Sequence, residues 1–184
     1  MLDAGLRIAG TSSLGLERYI VLAENKNTKD LCLVDIKAAH SSSVIAYIKN
    51  KQPVWSCEAQ RVLTSQKMLQ YQSQASLGII QDGAKSFVIK ELQPSEDKMD
   101  IDLLKGNLKE LERVTDTLAQ LTASAHLRGS GRQGAAITDE LIAFAGETNW
   151  PKILLAYTEN YTAVIKQFYK DFCVAYEAGY FKQS

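Results

Sequence analysis

Two glycine turns and one strand lysine are where this 184-residue chain could do chemistry. The first turn is Gly10-Thr11-Ser12-Ser13-Leu14-Gly15. Small residues there let main-chain N–H groups come close to phosphate oxygens, because glycine has no Cβ to hold them off. Lys37 closes the run Leu33-Val34-Asp35-Ile36, and an ammonium in so apolar a setting can pair with phosphates. The second turn, Gly129-Ser130-Gly131, is flanked by Arg128 and Arg132 and followed by Gln133-Gly134. Guanidinium groups around such a turn can grip an anion, and a polar capping loop with solvated arginines has the same composition. Each feature alone has an ordinary reading as a turn tip or a solvent-facing strand lysine. Together, a glycine loop between strands with a lysine one strand later points to phosphate binding.

Other chemistries are excluded by what is missing. A strand rather than a helix follows the glycines, so the dinucleotide fingerprint does not apply, and no Walker loop is present. With only His40 and His126, and with Cys32, Cys57 and Cys173 widely scattered, neither a metal centre nor a disulfide framework is expected. Lys+Arg 21 balances Asp+Glu 21, which removes the electrostatic term a general nucleic-acid binder relies on. No run approaches the ~20 apolar residues of a membrane span. The start, Met1-Leu2-Asp3-Ala4-Gly5, lacks the basic-then-apolar order of a signal peptide, so a cytoplasmic protein is expected.

Hydrophobic residues at 46% and charged residues at 23% describe an ordinary globular chain, of one domain or two small lobes. Residues 1–93 are written in strand language. Leu6 to Ala9 and Glu17 to Leu22 flank the first turn as a hairpin, and Leu31 to Lys37 alternates as a third strand. Ser41-Ser42-Ser43 can cap a short helix through Ile45 and Ile48, and a second helix runs from about Glu58 to Gln70. Leu77 to Ile80 and Ser86 to Leu92 make another hairpin around Asp82-Gly83. After the polar linker Gln93 to Lys98 the period changes, and residues 99–184 read as helices packed on the sheet. Asp100 should cap a long helix with a stripe at Leu104, Leu108, Leu111, Leu118 and Ala125, stopped by the second glycine turn. A shorter helix follows through Ile137 to Gly146, and Trp150-Pro151 opens an aromatic-rich last one. The fold class is therefore α+β: a small antiparallel sheet of about five strands followed by a helical layer.

Loop, strand, lysine strand, helix, two strands, linker and helices is the element order of the protein-kinase small lobe. In that reading Glu91-Leu92-Gln93 is the hinge that offers main-chain groups to a base. Glu58, the only acid of the second helix, is then the carboxylate for Lys37. Phosphoryl transfer also needs a carboxylate for the acceptor hydroxyl and an Asp/Asn set for Mg²⁺, and no such motif occurs. His126 is better placed as a helix C-terminal cation, and Asp100 with Asp102 as an N-cap and first-turn acid.

The blocks Arg7 to Tyr19, Asp35-Ile36-Lys37-Ala38-Ala39, Glu91 to Asp97 and Leu127 to Ala135 resemble, in the same order, those of the bacterial domain of unknown function 2252 family. The resemblance covers nearly the whole chain. It implies a kinase-like or aminoglycoside-phosphotransferase-like protein, with ATP and Mg²⁺ as its cofactors and no settled substrate. Ser12 stands where the family usually has a second glycine, and Ala39 where it usually has a glutamate beside Lys37. The resemblance also implies that the Asp-x-His-x-x-Asn and Asp-Phe-Asp motifs lie ahead of the glycine hairpin, so this chain looks like a C-terminal half that is not active alone. Two functions follow: a nucleotide-holding part, with Gly10, Thr11, Ser12, Ser13, Gly15 and Lys37 at the phosphates, or a non-catalytic interaction or scaffold module. A partner chain or a homo-oligomer is compatible with either.

Overall fold

A computed structural model of the chain describes residues 1–10, 15–74, 76–94 and 98–182, and it contains two compact units, Met1–Ala135 and Ala136–Ser184. The first is built on β1 (Asp3–Leu6), β2 (Arg18–Glu24), β3 (Leu31–Ala38), β4 (Gly78–Asp82) and β5 (Lys85–Glu91). They form one open antiparallel sheet in the order β1-β2-β3-β5-β4, and with four helices the fold is α+β.

β-Branched and aromatic residues explain the central strands: Tyr19, Ile20 and Val21 in β2 pair with Ile36, Asp35 and Val34 in β3. The β4–β5 hairpin closes with Asp82 opposite Lys85, leaving Gly83 and Ala84 as its loop. Gly83 takes φ 55°, the left-handed conformation that a tight hairpin requires of its first loop residue.

α1 (Glu58–Leu69) packs on β4 and β5 and against α2 (Leu108–Gly129). Its N-cap residue, Cys57, supplies no side-chain bond, so the sheet does: the Ala59 N–H donates to Ser86 Oγ of β5 at 3.1 Å. Ala59 is fully buried there, and with Ala38 and Phe87 it forms the buried apolar core of the described residues.

Two expected helices are shorter than their patterns suggest. The segment after Ser41-Ser42-Ser43 forms a single 3-10 turn, Ile45–Tyr47, whose cap position is held by Val44 without a side-chain bond. Asp100 caps only the 3-10 turn Ile101–Leu104, its Oδ1 accepting from the Asp102 N–H at 2.9 Å. Gly106 then takes φ 85° and breaks the path, and α2 begins afresh at Leu108 under Asn107, whose Oδ1 accepts from the Glu110 N–H at 3.2 Å. The long helix therefore starts eight residues later than Asp100, because a left-handed glycine interrupts an otherwise continuous apolar stripe.

The second unit holds α3 (Thr138–Gly146), α4 (Trp150–Glu177) and the 3-10 turn Tyr180–Lys182. Pro151 sits in the first turn of α4, where its missing N–H has no partner to lose. Phe144 stacks on Trp150 and Phe172 meets Phe181, each pair with centroids 5.5 Å apart. No residue of α3 or α4 is buried. Strands give way to helices after Glu91, as the composition suggests, while the boundary between compact units falls at Ala135, because α2 packs on α1 and so belongs with the sheet. No helix is long and apolar enough to cross a membrane among the described residues.

Candidate functional site

Side chains alternate along a strand, so Asp35 and Lys37 stand on the same face of β3. The register sets Arg18 opposite Lys37 on β2, and Val88 and Lys90 opposite Lys37 and Asp35 on β5. α1 covers part of this face. Between them lies a cavity of about 530 Å³ lined by Leu16, Lys37, His40, Val62, Val88 and Lys90, with Asp35 also in its wall. Asp35 is the one carboxylate that lines it among the described residues.

That carboxylate is already occupied. Arg18 donates from Nη2 to Oδ2 at 2.6 Å and from Nε to Oδ1 at 2.7 Å, and Arg7 Nη1 donates to Oδ1 at 2.9 Å. Burial pushes the Asp35 pKa upward, but the hydrogen bonds from Arg18 and Arg7 outweigh it and hold the group below the usual carboxylate range. The bond to Asp35 likewise raises the Arg18 pKa. Arg18 Nη1 also donates to the Ala9 carbonyl at 3.0 Å. Arg7 follows β1 and Arg18 opens β2, so the two stems of the glycine loop are tied to the middle strand by one buried acid. Lys37 and Lys90 have no ion-pair partner among the described residues, which leaves the cavity an excess of positive charge.

The expected site residues fall in several places. Gly10 and Gly15, with φ 79° and 82°, bracket the loop in the left-handed conformation. Thr11, Ser12 and Ser13 lie outside the described residues. Glu58 is not the carboxylate of Lys37: it accepts from Arg61 Nε at 2.6 Å, one turn along its own helix. Glu91 lies opposite Val34, and the Leu92 N–H donates to the Leu33 carbonyl at 2.8 Å, so at Leu92 the strand pairing continues into the segment read as a hinge. Gln93 follows it.

Arg128 and Arg132 are sent different ways. The Arg128 guanidinium lies 4.9 Å from the centre of the Tyr71 ring, whereas Arg132 lines a separate cavity beside Trp55. His126 lies in the last turn of α2. The residues that sequence reading passed over are Arg7, Arg18 and Lys90. Their signal was available in the alternation of β3, which sets Asp35 beside Lys37 and obliges a buried acid to find cations on the neighbouring strands.

The family model described as "Uncharacterized protein conserved in bacteria (DUF2252)" matches residues 1–175. No curated protein and no solved structure matches.

Proposed function

Since the chain belongs to the DUF2252 family of proteins conserved in bacteria, we propose that within that family it is the nucleotide-holding part of a kinase-like phosphotransferase. The observation that carries this reading is Lys37. It lines the cavity beside Leu16, next to the glycine loop, together with Lys90, and neither lysine has an ion-pair partner among the described residues. Two uncommitted ammonium groups, with Ser41, Ser43 and His40 in the same wall and the one carboxylate there already held by arginines, suit a polyphosphate. A loop between antiparallel strands, a lysine on the third strand, a helix and a second hairpin follow the order in which protein kinases cover and grip ATP. Gly10 to Gly15 would lie over the phosphates and the 91–93 segment beside the base.

One difference from that pattern concerns the helix acid. In kinases a glutamate of the helix holds the lysine; here Glu58 is bonded to Arg61, and Asp35 is held by Arg7 and Arg18. Lys37 is left to be ordered by the ligand. Among the described residues no cluster of three His, Cys, Asp or Glu could hold a metal ion, so Mg²⁺ would arrive on the phosphates. The acceptor-positioning carboxylate and the Asp/Asn set are not in this sequence, and transfer would need them from elsewhere.

The test is thermal unfolding of the chain with ATP and Mg²⁺. Nucleotide at 100 times its Kd should stabilise by about 2.7 kcal/mol, a Tm rise of about 5–10 °C for a chain of this size. Lys37→Met should remove most of that rise while leaving the ligand-free Tm nearly unchanged. No rise at millimolar ATP, or the same rise in the variant, would defeat the reading. The second reading, a non-catalytic interaction module, is favoured by the exposed aromatic face of α4, where Tyr157, Phe168, Tyr169 and Phe172 are all more than half exposed. It expects no nucleotide effect and a stable dimer or hetero-complex by light scattering.

A further inference from the structure

The first unit has a second cavity, of about 390 Å³, between the C-terminal half of α1 and the turn that follows α2. It shares no lining residue with the cavity around Lys37. Lys51, Trp55, Arg61, Met68, Arg132 and Gln133 are among its walls, and no carboxylate lines it among the described residues. The Arg61 charge is already answered by Glu58, and its Nη2 donates to the His40 carbonyl. Lys51 and Arg132 form no ion pair among the described residues and supply the uncompensated charge.

The turn itself is unusual. Gly131, Gln133 and Gly134 all take positive φ, 65°, 51° and 84°. For glutamine this is a conformation that L side chains adopt at a cost. Arg132, between Gly131 and Gln133, does not take a positive φ, and a turn in which left-handed residues alternate with others in this way can aim its main-chain N–H groups at an anion as a nest. The N–H groups of residues 131 to 134 form no hydrogen bond within the described residues, whereas the Ala135 N–H is committed to the Arg132 carbonyl. The end of α2 also lies close against α1: a Cβ on Gly129 would stand 3.1 Å from Leu69 Cδ2, so a larger residue there would require the Leu69 side chain to give by a few tenths of an ångström.

We propose that this cavity binds a small phosphate monoester carrying a flat ring. The phosphate would sit at Arg132, Lys51 and the 131–134 amides, and the ring would lie on the Trp55 indole. Charge without a carboxylate selects the anion, unspent amides suit phosphate oxygens, and an indole in the same wall gives the organic part an apolar surface. The inference does not depend on the nucleotide reading of the Lys37 cavity.

The experiment is a titration of the ¹⁵N-labelled full chain with AMP, adenosine and inorganic phosphate, followed by ¹H–¹⁵N spectra. AMP should move the Trp55 indole N–H together with the Gly131 and Gly134 amides, and adenosine should bind at least tenfold more weakly. Lys51→Gln combined with Arg132→Gln should weaken AMP at least tenfold with the rest of the spectrum unchanged, which also reports that the exposed double variant is folded. Lys37→Met should leave this site intact, so its failure and that of the triphosphate site are read separately. Unmoved signals at Trp55 and the turn, equal binding of adenosine and AMP, or affinity within twofold in the double variant would overturn the proposal.

Discussion

A carboxylate as fully removed from water as that of Asp35 keeps its charge only because Arg18 and Arg7 donate three hydrogen bonds to it. The net effect is a pKa below the ordinary value, which fixes the sign of its contribution to stability. The unfolded chain takes up its proton near pH 3.9, the folded chain at a lower pH. The stabilisation is therefore complete above about pH 4 and is lost as pH falls through the folded value. Asp35→Asn keeps the shape but leaves two guanidinium groups facing a neutral amide. Because Arg7 and Arg18 remain partly in contact with water, the cost at pH 7 should lie at the lower end of the range for a broken buried pair, about 3 kcal/mol. Urea unfolding at pH 7 and at pH 3 measures this, and the gap between wild type and variant should narrow at the acid end. A gap that widened on acidification would mean that the arginines are not what holds the carboxylate charged.

At the scale of elements, what was legible followed from period and punctuation. Alternation located β3, Asp82-Gly83 located the second hairpin, and the run from Glu58 located α1 to within a residue. What was not legible came from single residues overriding a good pattern. The stripe from Leu104 through Leu118 reads as one helix, but Gly106 at φ 85° divides it into a 3-10 turn and α2. Partner choice was hidden for a similar reason: Glu58 is the only acid on α1, yet Arg61 lies one turn away and reaches it before any strand lysine does. Of the candidate site, Lys37 and the flanking glycines could be singled out from their spacing, while the arginine clamp on Asp35 depends on strand register. Gly106 offers a test whose sign separates the two descriptions. Were the helix continuous from Asp100, Gly106→Ala would stabilise it by up to about 1 kcal/mol. With the left-handed turn, the same change should cost about 1–2 kcal/mol in urea unfolding, by backbone strain alone, because a Cβ there meets nothing within 4 Å.

Across the whole chain, burial is distributed unevenly, and resistance to opening should follow it. Every buried residue among those described belongs to the first unit, on β3, α1 and β5, where the sheet ladder and Ala59 close over one another. α4 spans 28 residues and none of them is buried; within its own unit Tyr157 stacks on Tyr161 and Phe172 meets Phe181. In proteins most of a helix's stability comes from tertiary packing of one face rather than from propensity. Amide hydrogen exchange on the full chain should therefore show β3 and β5 opening only with global unfolding. The amides of α4 should exchange through local opening at a free energy lower by several kcal/mol. Chain concentration provides the control: protection of α4 that rose with concentration would show a second copy covering its aromatic face, because only association makes stability concentration-dependent. Protection of α4 equal to that of β3 in dilute monomer would contradict the burial seen here, since exposed side chains cannot supply the missing stabilisation.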